Sequence, residues 1–172
     1  MRDLYYTSFS RLDNSDENFM WNIFAERGTG VKIIFNLRVK QKRANFRPIY
    51  YHSKSTNSAT VIKALSDRIY AECHRHFIMR GISKIGAFYL PLGYQLEKEE
   101  ETRLLIKSWG DGLAYKMNTK GEDYPYIPLK IGKEQNEFCD IQISRIYMGA
   151  NCDRQRVREV LKSSPFHNVT LL

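Results

Sequence analysis

The chain alternates short apolar segments with turn-forming clusters, and the spacing of the apolar positions predicts an element for each segment. Residues 4–10 read as a strand. Asp13-Asn14-Ser15-Asp16 is turn-like and supplies N-cap side chains. A short helix is expected over 18–27, because Phe19, Met20, Ile23 and Phe24 fall at helical spacing, and Gly28 and Gly30 end it. Residues 31–37 are β-branched and mostly apolar, which predicts a strand buried on both faces. Residues 45–51 form a second strand candidate, assigned to an edge by Pro48. The clearest helix is expected over 59–80, capped by Asn57 or Ser58 and ended by Gly81. Its stripe is Ile62, Leu65, Ile69, Cys73, His76 and Phe77. Residues 82–93 are ambiguous and read as helix, then loop.

An acidic run, Glu99-Glu100-Glu101, feeds a strand over about 101–107. Side chains two apart on a strand share a face, so Glu99, Glu101 and Arg103 are expected to project together while Thr102, Leu104 and Ile106 face a core. Gly110-Asp111-Gly112 predicts a hairpin to residues 113–117. Strands are expected over 124–131 and 140–148. A helix capped by Asp153 follows, with Val157, Val160 and Leu161 on one face, and 169–172 closes the chain as a strand or tail. Strands that do not alternate regularly with helices predict an α+β fold. It would hold a mixed or antiparallel sheet of roughly six to eight strands, with three or four helices.

Composition adds bounds. A length of 172 residues suits one domain spanning 1–172, and 42% hydrophobic with 27% charged residues is ordinary for a soluble globular chain. Lys and Arg number 27 against 19 Asp and Glu, a net charge of +8. That excess attracts anions such as nucleic acid or nucleotides, or simply serves solubility. The basic residues cluster at Lys40, Lys42, Arg43 and Arg47 and again at Arg154, Arg156, Arg158 and Lys162. Three sparse cysteines make no disulfide framework and fit a reducing compartment. The opening residues contain no apolar signal segment, and no apolar run approaches bilayer length. A cytoplasmic protein without a membrane partner is expected.

The row of Glu99, Glu101 and Arg103 admits two readings: an intrastrand ion pair on a solvated face, or a catalytic row in which paired carboxylates hold a sugar hydroxyl and stabilise a developing oxocarbenium ion. Ser8 and Ser10 share a face of the first strand and can orient a nucleotide beside such a row. Taken alone they read as surface serines. Trp21 is assigned mainly to packing and kept as a ligand-binding candidate. Cys73 and His76 lie three apart on a helix and could touch one ion, but no second ligand pair accompanies them. They are assigned to the core, and no metal site is expected. Gly28-Thr29-Gly30 lacks the context of a phosphate loop, and neither His52 nor His167 has a triad setting. Tyr50-Tyr51-His52 beside basic residues could stack bases.

Three stretches taken in order resemble the motifs of a bacterial family, domain of unknown function 2971. They are Ser8-Phe9-Ser10, the segment from Asn18-Phe19-Met20-Trp21 to Phe24-Ala25, and Gly30-Val31-Lys32-Ile33-Ile34-Phe35. Phe24 stands where the family usually has tyrosine. Glu99-Glu100-Glu101-Thr102-Arg103-Leu104 is similar to the family's acidic strand motif, with Thr102 in a tyrosine place. Residues 143–149 with the helix after them resemble its closing strand-Gly-helix unit. Members usually carry a further stretch before the Phe-Ser motif, so the resemblance implies a short member or one lacking a piece. The family's bacterial setting suggests a toxin or phage-defence effector.

A serine-bearing strand followed by Glu-x-Glu is also similar to the motif order of mono-ADP-ribosyltransferases. That resemblance implies NAD as cofactor, with Glu101 polarising the ribose, Glu99 handling the acceptor, and Ser8 and Ser10 supporting the pocket. Arg2 is the one upstream arginine available for the pyrophosphate. The functional expectation is a nucleotide pocket near Glu101 and Arg103. The alternatives are a nucleic-acid-binding module and a non-enzymatic interaction protein.

Overall fold

The computed structural model describes residues 4–52, 58–75, 87–91, 96–132 and 136–172. The fold is α+β, as the pattern predicts. In chain order the elements are β1 (Leu4–Ser10), α1 (Glu17–Phe24), a 3₁₀ turn (Glu26–Gly28), β2 (Val31–Val39), β3 (Ala44–Pro48), β4 (Tyr50–His52), α2 (Ser58–Cys73), β5 (Tyr89–Pro91), a second 3₁₀ turn (Leu96–Glu99), β6 (Glu101–Lys107), β7 (Ala114–Met117), β8 (Asp123–Tyr126), β9 (Cys139–Met148), α3 (Arg154–Lys162) and β10 (Thr170–Leu171).

Two three-stranded sheets carry the core, in the orders β1-β6-β3 and β10-β9-β2, beside two-stranded pairs β4-β5 and β7-β8. In the first sheet β6 is central and antiparallel to both neighbours. Its even-numbered side chains Leu104 and Ile106 join Ala44, Phe138, Cys139 and Ile141 in the buried cluster, which Phe9, Phe35 and Leu37 extend. The two sheets therefore pack face to face.

A bulge keeps β9 in phase with that core. Ile34 pairs with Arg145 but Phe35 pairs with Ile143, so Ser144 is the extra residue. Strict alternation from Ile141 and Ile143 would turn Arg145 inward. The inserted residue shifts the phase by one, so Ile146 is buried and Arg145 is exposed.

Several sequence expectations are corrected. Residues 31–37 are not buried on both faces: β2 pairs only with β9 in the second sheet, and Ile33 is 39% exposed. Residues 45–51 split at Pro48 into β3 and β4, with buried Ile49 between them, because Ile49 N–H leaves the strand line to donate to the Glu101 carbonyl at 2.8 Å. β3 is nevertheless an edge strand, as Pro48 requires. The hairpin from β6 to residues 113–117 does not form, since both edges of β6 are taken. β7 pairs instead with β8, across a turn in which Asn118 Oδ1 accepts from Lys120 and Glu122 N–H. Asp111 then serves another end: its Oδ1 accepts from Trp109 N–H and its Oδ2 pairs with Arg43 at 2.7 Å, holding its carboxyl down at about 2.

The strand expected over 124–131 ends at Tyr126. Tyr89–Pro91 is a strand where helix or loop was expected. The rest of 82–93 lies outside the described residues apart from 87 and 88, as do 76–80 and Gly81. Cys73 is exposed, not in the core, and Leu65 is 49% exposed.

Gly149 marks the closest backbone approach. A Cβ there would lie 2.1 Å from the Gly28 carbonyl oxygen, and Gly149 N–H donates to the Gly30 carbonyl at 3.1 Å. Gly149→Ala must push two backbones apart, and a loss of about 3 kcal/mol or more in urea-unfolding free energy is expected. Gly121→Ala, in an open turn, should cost about 1 kcal/mol from its positive φ alone.

Candidate functional site

The charged residues singled out in the sequence gather around one buried carboxylate. Glu101, the first residue of β6, is 7% exposed. Its Oε1 accepts from Arg103 Nε at 2.6 Å and its Oε2 from Arg103 Nη2 at 3.1 Å, a two-pronged pair. Ser8 Oγ, one strand over, donates to the same Oε1. Arg103 sends Nη1 to the Ala87 carbonyl at 2.8 Å and lays its guanidinium over the Tyr6 ring at 4.5 Å. Tyr51 Oη accepts the Glu101 backbone N–H at 3.1 Å. The face of β6 that carries Glu101 and Arg103 is thus covered, and Leu105 on that face is 1% exposed.

Glu99 does not lie on the strand. Glu100 adopts φ of +43°, and the chain turns so that Glu99 ends a 3₁₀ turn. It stays near enough to matter: burial first, and the Glu101 charge second, push the Glu99 carboxyl above its usual value, while Arg103 pulls it down. Burial likewise raises the Tyr51 phenol. So Ser8, Glu101 and Arg103 come together, Glu99 sits beside them, and the hydrogen bonds to Glu101 are supplied from within the fold.

Ser10 and Trp21 belong elsewhere. Ser10 lies opposite Glu101 in register, but its hydroxyl turns toward Met20 Sδ at 3.9 Å. Both residues line a cleft of about 600 Å³ between β1, α1 and β2. Phe9, Phe35 and Phe46 make its aromatic floor, with Phe9 edge-on to each of the other two at 5.7 Å. Phe24 at 60% and Ile33 at 39% exposure leave apolar surface open at its mouth. The polar rim holds Arg11, paired to Asp13 at 2.8 Å, and Lys32, paired to Glu17 at 2.8 Å. Glu101, Glu99 and Arg103 do not line this cleft.

The acidic run seats the cleft's outer wall. Glu100 Oε1 accepts from Ser15 Oγ at 2.5 Å, Asn14 Nδ2 donates to the carbonyls of Lys98 and Glu99, and Lys98 pairs with Asp16 at 3.2 Å. Asp16 caps α1 by accepting from Phe19 N–H at 3.0 Å, and that bond, with Lys98 second, lowers its pKa. Sequence reasoning missed Tyr6 and the cleft-lining phenylalanines, and it singled out Tyr51 for base stacking and not for its contact with the Glu101 backbone. Tyr6 had a signal, two residues before Ser8 on the same strand face. The contacts of Tyr51 have none, because they depend on the break at Pro48.

Two outcomes follow from these environments. Arg103→Leu strands a buried carboxylate and is expected to cost about 3–5 kcal/mol, read by urea unfolding. Glu99 has a folded-state pKa above its unfolded one, so it binds a proton more readily when folded, and its contribution to stability is lost as pH rises from the ordinary glutamate range through the raised value. Glu99→Gln should therefore raise the melting temperature at pH 7 and leave it nearly unchanged at about pH 3.5, below the ordinary value.

No family model, no curated protein and no solved structure matches this chain.

Proposed function

We infer that this chain is a binding module for a small, flat, mainly apolar molecule of nucleoside size, held in the cleft between β1, α1 and β2. The observation that carries the reading is the solvent-open apolar wall, Phe24 and Ile33 over a floor of Phe9 and Phe35, in a cavity of about 600 Å³. Pockets for small molecules fall in this size range and share this mix of apolar lining and few polar groups. Trp21 supplies a stacking surface, and Ser10 supplies a hydroxyl at the edge, where the Asn14 amide is already held within the fold.

Charge decides between a nucleoside-like ligand and a dinucleotide. Both rim cations, Arg11 and Lys32, already hold a carboxylate, so a polyphosphate would have to displace Asp13 and Glu17. The ADP-ribosyl-transfer reading asks Glu101 to grip a ribose with oxygens that Arg103 and Ser8 already occupy. The binding reading asks nothing of Glu101 beyond support. It leaves the resemblance to domain of unknown function 2971 as a proposal carried by the short motifs alone.

Titration with adenosine, NAD and the apolar dye anilinonaphthalene sulfonate, followed by Trp21 fluorescence in a Trp109→Phe background, tests this. Saturable binding of adenosine or the dye is expected, weakened about tenfold or more by Ser10→Phe, which fills the cleft from an exposed strand position. Absence of saturable binding, or binding indifferent to Ser10→Phe, would overturn it. So would NAD consumption that Glu101→Gln abolishes without lowering the melting temperature.

A further inference from the structure

The net charge of +8 is not spread evenly over the surface. Several cations on the sheets and turns hold a carboxylate: Arg38 and Lys40 share Asp140, Arg43 bridges Asp111 and Glu137, Lys98 holds Asp16, and Arg11 and Lys32 pair at the cleft. Lys42, Arg47, Lys107, Lys116, Lys120 and Arg145 have no ion-pair partner among the described residues, but they are scattered along the chain. On α3 such cations are concentrated: Arg154, Arg156, Arg158 and Lys162 are all exposed, and none has an ion-pair partner among the described residues. The helix's one carboxylate, Glu159, accepts from Gln155 at 3.0 Å, and Asp153 is spent capping Arg156 N–H.

Geometry makes the unpaired charges a line. Arg154, Arg158 and Lys162 recur every four residues, on one side of the helix at steps of about 6 Å. Val157 and Leu161, the more covered positions, lie on the adjoining side. A fifth cation is added from a distant part of the chain. Arg27 is exposed, takes φ of +59° and is fixed beside the start of α3, because its carbonyl accepts from Asn151 Nδ2 at 3.0 Å and the Gly28 carbonyl accepts from Asn151 N–H at 3.0 Å. The Gly28–Gly149 approach allows that junction.

We propose that this face, Arg154, Arg158 and Lys162 with Arg27 beside its start, docks the phosphate backbone of a nucleic acid, while Arg156 on the far side of the helix adds to the local positive field. A line of uncompensated guanidinium groups on a rigid helix presents forked donors to successive phosphates, and arginine suits phosphate better than a compact ammonium does. Binding would release counterions and so weaken steeply with salt. On the helix itself the one carboxylate, Glu159, is engaged by Gln155, and Asp153 caps its first turn, so neither competes strongly for the phosphates. The small-molecule cleft is a separate site, and its variants leave this one intact.

The test is fluorescence anisotropy with labelled single- and double-stranded RNA and DNA of about 20 nucleotides, titrated across about 50–200 mM KCl. Binding is expected, with the logarithm of affinity falling linearly against the logarithm of salt. Replacing Arg154, Arg158 and Lys162 together by Gln should weaken binding about tenfold or more at low salt and reduce the salt slope by about 2–3, one per lost phosphate contact. A control triple, Lys107→Gln, Lys116→Gln and Lys120→Gln, removes the same net charge elsewhere and should change both far less. Absence of binding at the lowest salt overturns the proposal. Equal loss in both triples overturns it too, since net charge alone then explains the attraction. Binding to phosphatidylserine vesicles but to no nucleic acid would show that the face meets a membrane surface instead.

Discussion

A carboxylate taken out of water must be matched by a cation and by donors, and this molecule is arranged around one such demand. Glu101 opens the central strand β6, where both edges and both faces are covered. An isolated charge there would cost several kcal/mol, by the general penalty for burying an ion. Arg103, two residues along the same face, meets it with two nitrogens, and Ser8 adds a hydroxyl from β1. Because Arg103 also reaches the Ala87 carbonyl and the Tyr6 ring, the pair ties β1, β6 and the segment at 87–91 into one geometry. A pair of this kind adds little net stability over an apolar replacement, but it fixes which groups meet.

The same acidic stretch reaches the cleft by another route. Glu100, left-handed at φ +43°, ends the 3₁₀ turn and presents its carboxylate to Ser15. Lys98 and the carbonyls of Lys98 and Glu99 hold Asp16 and Asn14. These contacts set the entry of α1, and α1 carries Met20, Trp21 and Phe24 to the cleft. The acidic run thus acts on the cavity through position and not through contact. A change at Glu100 would move the wall without touching a bound molecule, which is the behaviour of a positioning residue.

Much of this was legible in the sequence, for reasons that can be named. The strand at β6 and the Asp153 cap of α3 are local signals, and both are present. Burial along β6 does not alternate, since Leu104, Leu105 and Ile106 are all buried. The proximity of Glu101 to Arg103 follows from strand geometry alone. What was not legible depends on distant partners or on single backbone angles. A strand reading carried through Glu99 fails because Glu100 takes a conformation that glutamate rarely adopts. The two-sided burial read for β2 fails because a run of apolar residues does not say whether a packed layer will cover both faces, and here Ile33 is left 39% exposed beside the cleft. The hairpin after Gly110-Asp111-Gly112 fails because β1 and β3 claim β6 first. Ser144 left no trace beyond a one-residue slip between Ile143 and Ile146, which is how a bulge reads in one dimension.

The two proposed sites follow opposite electrostatic rules. At the cleft mouth each cation meets a carboxylate at 2.8 Å, Arg11 at Asp13 and Lys32 at Glu17, and the pKa of Glu17 is lowered chiefly by its hydrogen bond from Lys32. The local field at the mouth is then small, and selection there rests on shape and apolar contact. On α3 the carboxylates are withdrawn into a cap and a neighbouring amide, so the cations keep their field. The cluster of arginine on α3 therefore differs in local charge from the mouth of the cleft, where Arg11 and Lys32 each lie beside a carboxylate. On the two proposals, selection at the first would rest on long-range charge and at the second on shape.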